Sequence, residues 1–190
     1  MFIQTEATPN PNTLKFLPGR DVTGGAGRDM PTAEAAAAQS PLAAAAFAID
    51  GVTRVYLGAD FLTVTKTPEA DWAILKPFLL SAIMDHFASG APALSGAQEG
   101  SVADDIVYDG EAADIVAQIR DLIETRIRPA VARDGGDITF HSWDHEEGLV
   151  RLTMKGSCAG CPSSTITLKQ GIENMLRHYV PEVNRVEQAL

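Results

Sequence analysis

The residues best equipped for chemistry in this chain are two cysteines three apart. They lie in the run Lys155-Gly156-Ser157-Cys158-Ala159-Gly160-Cys161-Pro162-Ser163-Ser164. If Cys161 caps a helix, Pro162 falls at the first helical position, where its missing N–H is no loss. Both sulfurs then face the positive end of the helix dipole, which favours thiolate over thiol. Gly156 and Gly160 allow tight turns and leave amides free to donate to sulfur, with Ser157, Ser163 and Ser164 as further donors. An exposed dithiol of low pKa on a glycine loop suits soft-metal ligation.

Four chemistries compete for such a pair. Two inert cysteines in a tight loop would not need so organised a strand-to-helix junction. A thioredoxin-like redox pair also sits at a helix start, but within a parallel βαβ pattern, whereas this pair follows a hairpin pattern. A zinc site would recruit His141 and His145, whose spacing to Cys158 and Cys161 is that of a zinc finger read backwards. Those histidines fall in a strand and its turn, so they do not share a helix face. The fourth chemistry is an iron–sulfur cluster, which usually takes four thiolates. One chain supplies two, and two chains meeting loop to loop would supply all four about a two-fold axis. Separating the subunits would strip two ligands at once, which suits delivery better than durable electron transfer.

The whole chain constrains these options. Its 190 residues are 45% hydrophobic and 21% charged, a globular composition. The net charge of −10 leaves no basic face for tracking phosphates, so nucleic acid is not an expected partner. The longest uncharged stretch, Ala35 to Ile49, is broken by Gln39, Ser40 and Pro41, and no membrane span is expected. The start, Met1-Phe2-Ile3-Gln4-Thr5-Glu6, lacks a basic n-region and an apolar h-region. A reducing bacterial cytoplasm is the default expectation. A mature mitochondrial matrix protein would look the same.

An α+β fold of two small domains is expected around the cysteine loop. Residues 1–87 read as one unit, β-β-α-β-β-α, and residues 112–190 as a second, α-β-β-α-β. Residues 88–111, with five acids and no Lys or Arg among Gly, Ala and Ser, read as a flexible acidic linker. In the first unit, Phe2 to Thr5 and Thr13 to Leu17 read as strands flanking Pro9-Asn10-Pro11-Asn12. Asp21 to Gln39 reads as loop, Pro41 to Ala48 as helix, and Val52 to Leu57 and Phe61 to Lys66 as a hairpin. Asp71 to Phe87 has helical spacing. The second unit opens on a helix with Ile115, Ile119, Leu122, Ile123 and Ile127 on one stripe, and Pro129 marks its stop or bend. Ile138 to Trp143 and Leu149 to Met154 read as strands, followed by the cysteine loop, a helix ended by Pro181, and a last strand within Glu182 to Glu187.

Asp134-Gly135-Gly136-Asp137-Ile138, followed by the loop from Gly156 to Ser164, resembles the C-terminal domain of the NifU-like (Nfu) family. Gly171-Ile172-Glu173-Asn174-Met175-Leu176 and Tyr179-Val180-Pro181-Glu182-Val183 continue the likeness. Thr8-Pro9-Asn10-Pro11-Asn12-Thr13-Leu14-Lys15-Phe16-Leu17-Pro18-Gly19 and Ile83-Met84-Asp85-His86-Phe87 resemble the Nfu N-terminal domain. The resemblance implies a non-enzymatic carrier that binds a [4Fe-4S] cluster, or a [2Fe-2S] one, through Cys158 and Cys161. The cluster would be shared across a homodimer, received from an upstream assembly scaffold and passed to apo-proteins.

Lesser signals fill in the picture. Asp85-His86 reads as a solvated helix end, Asp134 and Asp137 as turn-stabilising acids, and Trp143 as core or interface. Lys15 and Lys155 are candidates for an electrostatic role, Lys155 beside an anionic cluster. The first unit, on a tether of about twenty residues with a reach of roughly 25 Å, is expected to move independently and contact clients.

Overall fold

The computed structural model describes residues 2–25, 27–95, 106–159 and 162–189. Five antiparallel strands build the first unit: β1 (Gln4–Ala7), β2 (Thr13–Leu17), β3 (Arg28–Met30), β4 (Val52–Leu57) and β5 (Leu62–Lys66), in the order β1-β2-β5-β4-β3. Thr8 and Asn10 close the first turn, with Asn12 N donating to Asn10 Oδ1 at 3.0 Å. Period-two alternation sends Phe16, Leu62, Val64, Val55 and Leu57 into a core shared with three helices. The same alternation puts Lys15, Thr63 and Tyr56 on the other face, in register with one another across β2, β5 and β4.

The helices are α1 (Ala33–Gln39), α2 (Pro41–Phe47) and α3 (Trp72–Ser89). The segment expected as loop, Asp21 to Gln39, therefore contains a strand and a helix. Thr32 caps α1 by accepting from Ala35 N at 3.2 Å, and alanine has the highest helix propensity. On the sheet edge β3 is fastened to β4 by the Arg54–Asp29 ion pair. Buried Ser40 ends α1 and caps α2, and its hydroxyl donates to Ala93 O. Ser95 N also bonds Gln39 O at 2.8 Å, so the start of the expected linker is folded onto the first unit. Tyr108, near its other end, receives the backbone N–H of Trp143 on its hydroxyl at 2.8 Å. The remainder of that acidic stretch, 96–105, lies outside the described residues.

In the second unit α4 (Glu111–Leu122) passes through a π-helical turn (Ile123–Ile127) into α5 (Arg128–Arg133). Arg128 N bonds Ile123 O, five residues back, just ahead of Pro129, which has no N–H to donate. The helix thus widens at Pro129 rather than stopping. Next come β6 (Gly136–Asp144) and β7 (Leu149–Gly156), antiparallel, then α6 (Pro162–Tyr179) and β8 (Arg185–Gln188), which lies parallel to β7. One core, including Ile119, Ile123, Ile138, Leu152 and Leu176, joins the α4 to α5 segment, the sheet and α6. Among the described residues no helix is long and apolar enough to cross a membrane.

His86 is not at a solvated helix end. It is buried on α3, Nε2 has no partner among the described residues, and burial lowers its pKa. The unfolded chain binds a proton near pH 6.5 that the folded chain refuses, so this contribution to stability is present above that pH and lost as pH falls. Thermal melts between pH 7.5 and 5 should show a falling Tm, and His86→Leu should flatten that slope.

Candidate functional site

The cysteine turn is built where β7 ends and α6 begins. Gly156 takes a left-handed φ of +62°, which swings the chain out of the sheet. Ser157 then ties the turn to the end of α5: its amide donates to Gly135 O at 3.2 Å and its hydroxyl to Asp134 O at 2.6 Å. Ala159 N closes on Gly156 O at 3.1 Å. Pro162 is the first residue of α6, as the spacing predicts. Cys161 itself lies outside the described residues, as does Gly160.

Cys158 is 5% exposed. Its sulfur lies over Gly136, where an added Cβ would stand 2.3 Å away. Removal from water pushes the thiol up to about 12, outweighing a hydrogen bond from Ser157, and Asp134 and Asp137 push the same way. The expectation of an exposed thiolate of low pKa therefore does not hold for Cys158 in this conformation.

Asp137 does more than stabilise a turn. Its carboxylate is gripped by Arg128, Nε to Oδ1 at 2.7 Å and the second nitrogen to Oδ2 at 3.0 Å. The amide of Ile138 adds a bond to Oδ1 at 2.9 Å. Glu124, one helical turn before Arg128, takes the remaining guanidinium edge at 2.7 and 2.9 Å. This clamp joins the π-turn region to the start of β6, next to the cysteine turn's glycine floor. Sequence reading missed the clamp, because Arg128 and Asp137 carry no motif in common.

The two units touch at this floor. An added Cβ on Gly135, whose φ is +77°, would stand 2.7 Å from Thr63 Cγ2, and one on Gly156 would stand 3.2 Å from Tyr56 Cδ1. Lys15, from β2, donates to the carbonyls of Ala132 and Arg133 at 3.0 and 3.1 Å, at the negative end of α5. So Lys15 does act electrostatically, on a helix end. The first unit is docked here rather than independent.

His145 sits in the turn beyond β6 while Cys158 adjoins Gly136 at the strand's other end, about 27 Å away at 3.4 Å per residue. Such a separation rules out a shared zinc ion. His141 falls at the bulge in β6, its Nδ1 3.3 Å from Ser142 Oγ. Among the described residues no three His, Cys, Asp or Glu side chains form a metal-holding group. Because β8 is parallel to β7, the cysteine turn does stand in a βαβ unit, and the topological objection to a redox pair falls away. Trp143 is buried in the core, as expected.

Three variants test this construction. Gly136→Ala forces its methyl into the Cys158 sulfur and should cost about 1–3 kcal/mol. Arg128→Met leaves Asp137 buried without a counter-charge and should cost about 3–5 kcal/mol, much of it regained in Arg128→Met with Asp137→Leu. Urea unfolding of the three variants measures both effects.

Two family models cover most of the chain: "Scaffold protein Nfu/NifU N terminal" over residues 3–90 and "NifU-like domain" over residues 119–187. The chain is 50% identical over 188 residues to NifU-like protein 5, mitochondrial, of Arabidopsis thaliana, which aligns 99% of this chain with 68% of that protein. It is likewise 50% identical over 195 residues to the NFU1 iron-sulfur cluster scaffold homolog, mitochondrial, of Homo sapiens, spanning 100% of this chain and 72% of that one. A solved NifU-like protein of Saccharomyces cerevisiae overlays with a TM-score of 0.46 at 28% identity, covering 50% of this chain and 86% of the other.

Proposed function

The chain belongs to the NifU-like family of iron–sulfur cluster scaffold proteins, and from that premise we propose that it is a carrier whose cargo is a [4Fe-4S] cluster. Cys158 and Cys161 of one chain and the same pair of a second chain hold the cluster, which the homodimer receives from an upstream scaffold and hands to apo-proteins. The protein makes and breaks no substrate bond of its own in this reading. Its relatives' names favour a mitochondrial location and give a bacterial cytoplasm no support.

The observation that carries the proposal is Cys158, seated over a glycine floor in the turn before an 18-residue helix and followed three residues later in the sequence by a second cysteine. Two thiolates are half of what a small cluster takes, so the rest come from a second copy. Ligation removes the thiol proton, and the positive end of α6 stabilises the anionic sulfurs that result. In the cluster-free chain, burial keeps Cys158 protonated and shields it from oxidation.

A thiol–disulfide oxidoreductase remains the second reading, because the βαβ setting of the turn suits it. Against it stands Cys158, which is buried and protonated where an attacking sulfur must be exposed and ionised.

Anaerobic reconstitution with iron and sulfide separates the two. The carrier should bind about four irons per two chains and elute as a dimer when loaded. Either Cys158→Ser or Cys161→Ser should abolish both. Reduction of insulin disulfides with no iron uptake would establish the oxidoreductase instead.

A further inference from the structure

We propose that the outward face of α6, the side carrying Ile166, Thr167, Gln170, Gly171 and Asn174, is the surface on which a second copy of this chain docks, the two helices lying side by side with both starts at one shared cluster. The inference rests on the carrier reading and names the surface that brings its two cysteine turns together.

At about 100° per residue these five positions fall on one arc of the helix, and all five are exposed. The opposite arc sends Ile172 and Leu176 into the core, with Leu168 and Met175 packed beside them. The outward arc is left to solvent, and Ile166 keeps 59% of its surface there. Gly171 is the odd residue in it. It lies in the interior of an 18-residue helix, where glycine is among the poorest helix formers, and it has no left-handed φ to require it. An added Cβ there would meet nothing within 4 Å among the described residues. The fold of one chain gives no reason for the missing side chain, whereas a second helix that approaches closely does.

Place and charge identify the occupant. The helix starts at Pro162, the residue after Cys161. A second cysteine turn that shares a cluster with this one therefore stands at the start of α6, and Ile166 lies only about 6 Å farther along the axis at 1.5 Å per residue. The chain carries a net charge of −10, so two copies repel wherever acidic faces meet. No ionisable side chain stands at 166, 167, 170, 171 or 174, and two copies meet there without that repulsion. For helices that start together at a two-fold axis, symmetry sets each of these residues near its own counterpart.

Such an arc buries one isoleucine among uncharged polar side chains, too little to hold two chains unaided. Ligation and the helix contact therefore act together. The thiolates join the chains, while α6 sets their mutual orientation and turns two positive helix ends toward one anionic cluster. Once the cluster leaves, only the weak contact is left and the chains part.

The test uses full-length protein reconstituted anaerobically with iron and sulfide, with sedimentation reading the dimer and iron counting reading the load. Ile166→Glu and Ile166→Arg, each alone, set like charges against each other across the axis. Each should weaken the loaded dimer about tenfold or more, with circular dichroism showing the metal-free chain folded. An equal mixture of the two variants should restore a loaded dimer, because opposite charges then face one another. A charge effect on the cluster alone would instead weaken one variant and strengthen the other, and that outcome overturns the docking face. Loaded dimers within about twofold of the parent in both variants overturn it too, as does weakening that the mixture fails to relieve. If either variant loses its fold, Gln170→Glu and Gln170→Arg take their places in the same design. A parent chain that takes up no iron removes the carrier reading and this inference with it. A parent that loads as a dimer beside unaffected variants removes the docking face alone.

Discussion

Everything around the cysteine turn depends on the absence of two side chains. Gly135 and Gly136 form a layer one backbone thick, with a sheet from the first unit on one side and a cysteine sulfur on the other. A β-carbon at 135 would collide with Thr63, and one at 136 with Cys158. The first of these residues also has a left-handed φ that a side chain would resist. Close approach and backbone conformation thus select glycine at adjacent positions for different reasons. Three elements that are distant in the chain meet because nothing projects between them.

Such a thin layer needs stiff edges, and the second unit provides them. Arg128 holds Asp137 on one side while bonding Glu124 on the other. The π-helical turn ahead of Pro129 carries Arg128 from a long helix to the first residues of β6 without ending that helix. Ser157 ties the opposite strand end to Asp134 and Gly135. The outcome is a cysteine presented by rigid strand ends, with the helix beyond it free to supply its dipole. Positioning by packed elements is more exact than positioning by a loop alone.

Much of this was legible from local pattern. Runs set between turn residues marked β2, β4, β5, β6 and β7, and Pro162 marked the start of α6, because these features are written in neighbouring residues. The short edge strand β3 was not, since it exists through pairing with β4 and an Asp29–Arg54 ion pair that no local run encodes. Neither was the direction of β8, which depends on where a whole helix delivers the chain. Burial was the hardest quantity to read. His86 looked like the polar end of a helix and Cys158 like an exposed thiol, but both are buried, Cys158 against Gly136 of β6. Lys15 shows why: its acceptors lie 117 and 118 residues downstream.

That same separation has a bearing on biosynthesis. A ribosome adding about 5–20 residues per second takes roughly 6–24 s to travel from Lys15 to its acceptors. The first unit's strands are all complete by Lys66, well before the double glycine exists. From then until the second unit emerges, one face of its sheet confronts water with nothing to meet. An aliphatic face would invite other nascent chains or chaperones to bind there. A face of lysine, threonine and tyrosine stays hydrated while it waits, so the polarity that weakens the finished contact also keeps the half-made protein soluble.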